Sequence, residues 1–183
     1  VANQAPVNSV PGSQETYLNT PLAFTEYRET LISISDPDAR NQEVDLTLEA
    51  TNGLLTLLNR GDVAEGLTYL VGDGQDDPTI KVRGKITEIN TALSWVAFTP
   101  TPNYTGSDAS ITITTDDLGN AGSGDAKSDT DTISITVKAL GDLFDDSPTW
   151  KTYPGLLDTS FDDDGRKILS LGNTNNSSYY DYI

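Results

Sequence analysis

Between Leu22 and Ala139 the chain alternates apolar and polar residues in short runs, and clusters of Gly, Asn, Asp and Pro separate them. Successive side chains on a strand point to opposite faces, so this alternation marks antiparallel strands with one face buried and the other wet. Leu31, Ile32 and Ile34 lead into the turn SDPDA, and Val44, Leu46 and Leu48 alternate with Asp45, Thr47 and Glu49. Asn52-Gly53 suits the positive backbone angles of a tight hairpin, which predicts that Leu54 to Leu58 return beside that strand. Further strands are predicted at Leu67 to Val71, Thr79 to Gly84, Val96 to Thr99, Ile111 to Thr115 and Ile133 to Val137. These suffice for a two-sheet sandwich.

One segment departs from period two. In KITEINTAL, Ile86, Ile89, Asn90 and Leu93 have helical spacing, with Thr87 placed to cap the first turn, so a short helix is expected between two strands. The prolines of FTPTP argue against a sheet interior and predict an edge or a crossover there. After Val137 the text changes to the Pro- and Gly-punctuated GDLFDDSPTWKTYPG. The expected organisation is a sandwich over 1–141, a linker over 142–156, and a tail over 157–183. So short a tail cannot bury its own core, and is expected to add strands or pack on the sandwich.

Charge narrows the function. Lys and Arg number 11 against 28 acidic residues, a net charge of −17, so nucleic acid and anionic lipid are repelled. Only seven of the acids are Glu; the other 21 are Asp, many beside Gly, Asn or Pro in turn sequences. Turn Asp caps backbone, and it also supplies the hard oxygen that calcium takes. With no His and no Cys, a Ser-His-Asp triad, a thiol nucleophile, a disulfide and the usual zinc site are all excluded. A two-carboxylate glycosidase remains chemically open, but one sandwich offers no evident sugar cleft, and a non-enzymatic module is expected. No stretch is long enough to cross a bilayer as a helix, and the opening VANQAPV has neither initiator Met nor leader pattern, so a piece of a longer exported polypeptide is expected.

NQAPV at residues 3–7, NTPLAF at 19–24, SDPDA, ATNGLLTL, GLTYLVGDG, KITEINTAL, FTPTPNYTG, and TTDDLGN followed by DTDTISITV form an ordered series. Over residues 3–140 it resembles the cadherin-like repeats strung in tandem through large bacterial surface adhesins. The resemblance implies an all-β fold: an Ig/cadherin-like antiparallel β-sandwich with one short helix, here followed by a short β-prone appendage. It also implies an extracellular or cell-surface setting, a role as rigid spacer or in adhesion, and neighbouring repeats of the same chain as partners. A cell-surface glycan or protein is the further partner expected. LDTSFDDDGRKILSLG, at 157–172, resembles the opening half of a delta-sixty repeat, with Asp162 in place of the usual Gly.

In such repeats calcium sits at the junction between neighbours. The resemblance assigns Asp36 and Asp38 to the Asp-x-Asp turn, Asp116 to the turn before the last strand, and Asn3 to the linker, all at the N-terminal pole. Three carboxylates, an amide and backbone carbonyls would supply the six to eight oxygens that calcium prefers. At the other pole the customary Glu before the TPL strand is replaced by Leu18, which leaves Asp145 and Asp146 of DDSP as donors. The GDGQDD loop, with Asp73, Asp76 and Asp77, is either a solvated turn or a further calcium candidate. The alternative function is a carbohydrate-binding module using Trp95, Tyr104 and Trp150, set against a reading in which Trp95 packs in the core.

Overall fold

The computed structural model describes residues 2–57, 66–119 and 122–140. The chain divides into two compact units, Val1–Asp142 and Leu143–Ile183, and all the described residues belong to the first. The expected linker and tail, with Asp145, Asp146 and Trp150, lie outside the described residues.

The described residues of the first unit form an all-β sandwich with one α-helix and a single 3-10 turn at Glu26–Arg28. Its strands are β1 (Val7–Ser9), β2 (Gln14–Tyr17), β3 (Leu22–Thr25), β4 (Ser33–Ser35), β5 (Glu43–Thr51), β6 (Gly53–Leu57), β7 (Thr68–Val71), β8 (Thr79–Lys85), β9 (Trp95–Pro100), β10 (Gly106–Asp116) and β11 (Ser128–Lys138). A six-stranded sheet runs β2-β11-β10-β5-β8-β7, a three-stranded sheet runs β3-β9-β6, and β1 pairs with β4. All these pairings are antiparallel except β2 with β11, which is parallel.

Alternation builds the core. Val44, Leu46 and Leu48 of β5, Ile80 and Val82 of β8, Ile111 and Ile113 of β10, and Ile133, Ile135 and Val137 of β11 are buried on the inner face. Phe24, Leu55, Leu57, Val96 and Phe98 meet them from the smaller sheet. Each fully buried aliphatic or aromatic side chain contributes about 1.5–3 kcal/mol relative to exposure.

The helix α1 (Ile86–Leu93) closes the apolar interior with Ile89, Ala92 and Leu93. Its cap differs from expectation. Lys85 is the N-cap, and Glu88 reaches back to accept its N–H at 3.0 Å, whereas Thr87 lies inside the first turn.

The Asn52-Gly53 turn is a corner between sheets. β5 already has β10 on one side and β8 on the other, so β6 passes into the smaller sheet and pairs with β9. Asn52 takes the left-handed conformation (φ 57°), and the Phe98 ring lies where a Cβ on Gly53 would stand, 2.3 Å away. The FTPTP reading is corrected likewise, because β9 is the central strand of its sheet and Pro100 closes it opposite Gly53. A proline is tolerated at that terminal position because the ladder ends there.

On the outer face Asp45, 4% exposed, is bound by Arg83 at 2.6 and 3.0 Å and by Lys81 at 3.0 Å. Burial alone would push its carboxyl up; the hydrogen bonds and charges of Arg83 and Lys81 outweigh that and hold it below the ordinary value. A depressed carboxyl contributes stability above its unfolded pKa of about 3.9, and the contribution is lost as pH falls through the folded value. Asp45→Asn is expected to destabilise the protein by about 1–3 kcal/mol at pH 7. In urea titrations at successive pH values, the difference from the parent should shrink as pH drops below about 4.

Candidate functional site

The SDPDA turn follows β4 directly. Asp36 Oδ1 accepts the backbone N–H groups of Asp38 at 3.0 Å and Ala39 at 3.1 Å, and Ala39 is buried. A short carboxylate two residues before the donors it caps is what this sequence encodes. The second oxygen, Asp36 Oδ2, is buried without a hydrogen-bond partner. Burial pushes the Asp36 carboxyl above its ordinary value; the two backbone donors oppose the rise, and the neighbouring Asp38 carboxyl adds to it. Asp38 receives the Gln4 N–H, 3.3 Å from both of its oxygens.

Asn3 lies beside this turn at the start of the chain, 3% exposed. Its amide nitrogen donates to Asp117 Oδ2 at 2.8 Å and to the Asp125 carbonyl at 2.9 Å. With both donors engaged by acceptors the amide orientation is fixed. Asn3 Oδ1 is then buried with no donor to it. Lys127 Nζ donates to the Asn3 carbonyl at 2.6 Å. Gly122 draws the two segments together: at φ +74°, a Cβ there would stand 2.7 Å from both the Asn3 nitrogen and Asp38 Oδ2.

Asp117 is the hub of this end. It is 1% exposed, and its Oδ1 accepts the N–H groups of Gly119 and Lys127, each at 2.8 Å. Burial would raise its carboxyl, but these donors, the Asn3 amide and the Lys127 charge hold it below the ordinary value.

The structure therefore brings together Asn3, Asp36, Asp38 and Asp117. Asp116 stands elsewhere. It faces Asp45 across the β10–β5 ladder and caps the Leu118 N–H at 2.7 Å. Period two decides between the two acids: Ile111, Ile113 and Thr115 point inward, so Asp117 follows them in and Asp116 turns out. Counting that alternation onward through TTDD is the sequence signal that finds Asp117.

Among the described residues, no group of three or more Asp, Glu, His or Cys converges to hold a metal ion. The oxygens at this pole without a hydrogen-bond donor are Asp36 Oδ2 and Asn3 Oδ1, and the Asp38 carboxylate beside them is engaged by the Gln4 N–H. In the GDGQDD loop the acids serve as caps. Asp77 Oδ2 accepts the N–H groups of Asp73, Gly74 and Gln75 at 2.8–3.2 Å, Asp73 Oδ1 accepts that of Gln75, and Asp76 exchanges hydrogen bonds with the Thr56 hydroxyl. Near the C-terminal end of β2, Asn19 Oδ1 is engaged by the Asn103 N–H at 2.9 Å.

The aromatic candidates do not share a surface. Trp95 opens β9 and is 37% exposed, so it is not a core residue; Val96 and Phe98 take the inward positions. Tyr104 lies four residues past the far end of that strand, packed against the core with its hydroxyl 3.1 Å from the Asp108 N–H. The strand between them spans about 17 Å.

Asp117→Ala removes a buried carboxylate and leaves the Gly119 and Lys127 N–H groups and the Asn3 amide short of an acceptor, which is expected to cost about 3 kcal/mol or more. Asp116→Ala, on the outer face, is expected to cost about 1 kcal/mol or less. Urea denaturation in the presence of a chelator compares them, and equal losses would contradict the inward placement of Asp117.

No protein-family model matches this chain, and no curated protein matches it. Among solved structures, the chain is similar to a cohesin module from a Clostridium perfringens ATCC13124 family 33 glycoside hydrolase. The identity is 11% and the TM-score 0.39, over 75% of this chain and the whole of the module.

Proposed function

We propose that the first unit is a calcium-binding structural repeat of an extracellular or cell-surface adhesive protein, working as a stiff spacer and not as an enzyme. The observation that carries this reading is the pair of buried oxygens, Asn3 Oδ1 and Asp36 Oδ2, that lack a hydrogen donor at the same end of the sandwich. A buried polar atom without a partner costs about 1–3 kcal/mol, and a hard cation relieves oxygens where an added donor would not fit. Two adjacent carboxyls, one of them raised by burial and by its neighbour, favour the same occupant. Asp36, Asp38 and Asn3 would hold the ion, with backbone carbonyls and water completing its oxygen shell. Asp117, whose oxygens already accept from Asn3, Gly119 and Lys127, orients Asn3.

The ion's chemical role is electrostatic: it neutralises the crowded carboxyls and ties the chain's entry at Asn3 to the turn after β4. Within the first unit the chain enters beside Asp38 and leaves along β11, whose last residue pairs with Tyr17 at the far end of the sheet. Eleven residues of strand span about 36 Å. Entry and exit at opposite ends suit units joined end to end, with neighbouring repeats of the same chain as partners. The net charge of −17 leaves no role for nucleic acid. Among the described residues, no helix is long and apolar enough to cross a membrane.

Extracellular calcium modules bind at about 10⁻⁴–10⁻³ M. At a Kd of about 1 mM, about 10 mM calcium stabilises the folded state by roughly 1.4 kcal/mol, a Tm rise of a few degrees. Calorimetric titration and thermal melts of the full chain should show this saturable gain. Asp36→Ala with Asp38→Ala should abolish it while the chelated protein still folds. A double variant that responds to calcium as the parent does would remove the site from this pole, and binding on a glycan array would favour the carbohydrate alternative.

A further inference from the structure

The turn that carries Asp36 and Asp38 hangs from β4, and β4 is only three residues long. One of its edges pairs with β1. On the other edge stands Asn90 of α1. Its Oδ1 accepts the Ile34 N–H at 2.8 Å, and its Nδ2 donates to the Ile34 carbonyl at 2.8 Å. A carboxamide carries one acceptor and donors in the same spacing as a peptide unit, so Asn90 satisfies both main-chain groups of Ile34 as a neighbouring strand would. Asn90 is itself held in place, because Ile89 is fully buried and Ala92 and Leu93 anchor the same helix.

We propose that Asn90 is a positioning residue for the cation site: by clamping Ile34 it sets the height and direction of the Asp36–Asp38 turn two residues later. This inference rests on the calcium reading above. Within the turn, the Asp36 bonds to Asp38 and Ala39 fix its internal shape, not its place on the molecule. That place is set on one side by the Gln4 N–H bonds to Asp38 and on the other by Ile34. Calcium oxygens lie within about 2.3–2.6 Å of the ion, so small displacements of both carboxylates are felt directly. Loss of groups that orient metal ligands costs about 10- to 100-fold in affinity.

The test compares Asn90→Ala and Asn90→Asp with Asn19→Ala in the full chain. Asn19→Ala removes a side chain-to-backbone bond of the same kind from the Asn103 turn, away from the Asp36–Asp38 turn. Two quantities are measured: calcium affinity by calorimetry, and amide hydrogen exchange of Ile34, Asp38 and Ala39 with calcium chelated. The expected result is calcium binding weakened about tenfold or more in Asn90→Ala and faster metal-free exchange at all three amides, with Asn19→Ala unchanged in both. Asn90→Asp keeps the acceptor for the Ile34 N–H and opposes its carbonyl, so an intermediate loss is expected; it is the variant read if Asn90→Ala fails to fold. Parent-like affinity and exchange in the Asn90 variants would overturn the inference, as would an equal loss in Asn19→Ala. A parent chain that binds no calcium, yet shows the exchange change in the Asn90 variants, would sink the calcium reading and leave only the clamp.

Discussion

The gap between the two sheets has to be filled by side chains that arrive every second residue, and most other features of the unit follow from that spacing. Val44, Leu46 and Leu48 from one sheet and Phe24, Leu55 and Phe98 from the other occupy it and are essentially removed from water. A one-residue slip in any of these strands would turn its apolar set outward, so register is fixed by burial. The same parity governs what lies just beyond the apolar stretch. Thr115 and Asp117 continue the inward row of β10, and a carboxylate is thereby delivered into the end of the core, where it must find donors.

The unit meets that demand with asparagine and backbone. Asn3 holds Asp117, Asn8 ties β1 to β10 through the Thr115 hydroxyl and the Ile113 carbonyl, and Asn90 pairs with Ile34. In each case a carboxamide replaces a strand or turn contact that the main chain cannot reach. These bonds make one end of the sandwich polar, internally connected and acidic, and they leave two oxygens without donors. Those two oxygens, on Asn3 and Asp36, are what the proposed cation site rests on.

Strand edges show a related economy. The GDGQDD loop lies along β6, where Leu55 and Asp77 exchange backbone hydrogen bonds and Leu57 donates to the Gly74 carbonyl. Its acids fold the loop back so that it covers that edge. β7, the outer strand of the larger sheet, carries a register shift between Tyr69 and Val71, a bulge of the kind that discourages further pairing. The acids of this loop serve to terminate a sheet edge, and among the described residues only the Asp36–Asp38 turn leaves a carboxylate oxygen buried and without a donor.

Periodicity alone identified the β-class, the one helix, and the course of β5, β8, β10 and β11, because period two and period 3.6 are local properties of the chain. It also placed Asp36 and Asp38 in a turn, since capping is a contact between near neighbours. What sequence reading missed among strand neighbours and polar contacts depends on what lies across space. Asn52-Gly53 has the chemistry of a hairpin, but both sides of β5 were taken, so it became a corner between sheets. Trp95 opens a strand in a core-like sequence, yet its parity turns it outward. Asp117, rather than Asp116, joins Asn3 because the end of the sandwich admits the inward-facing acid, and Asn90 reaches Ile34 across 56 residues of chain. Local spacing fixed which residues form strands and turns; tertiary packing alone decided which strands became neighbours and which polar side chains met.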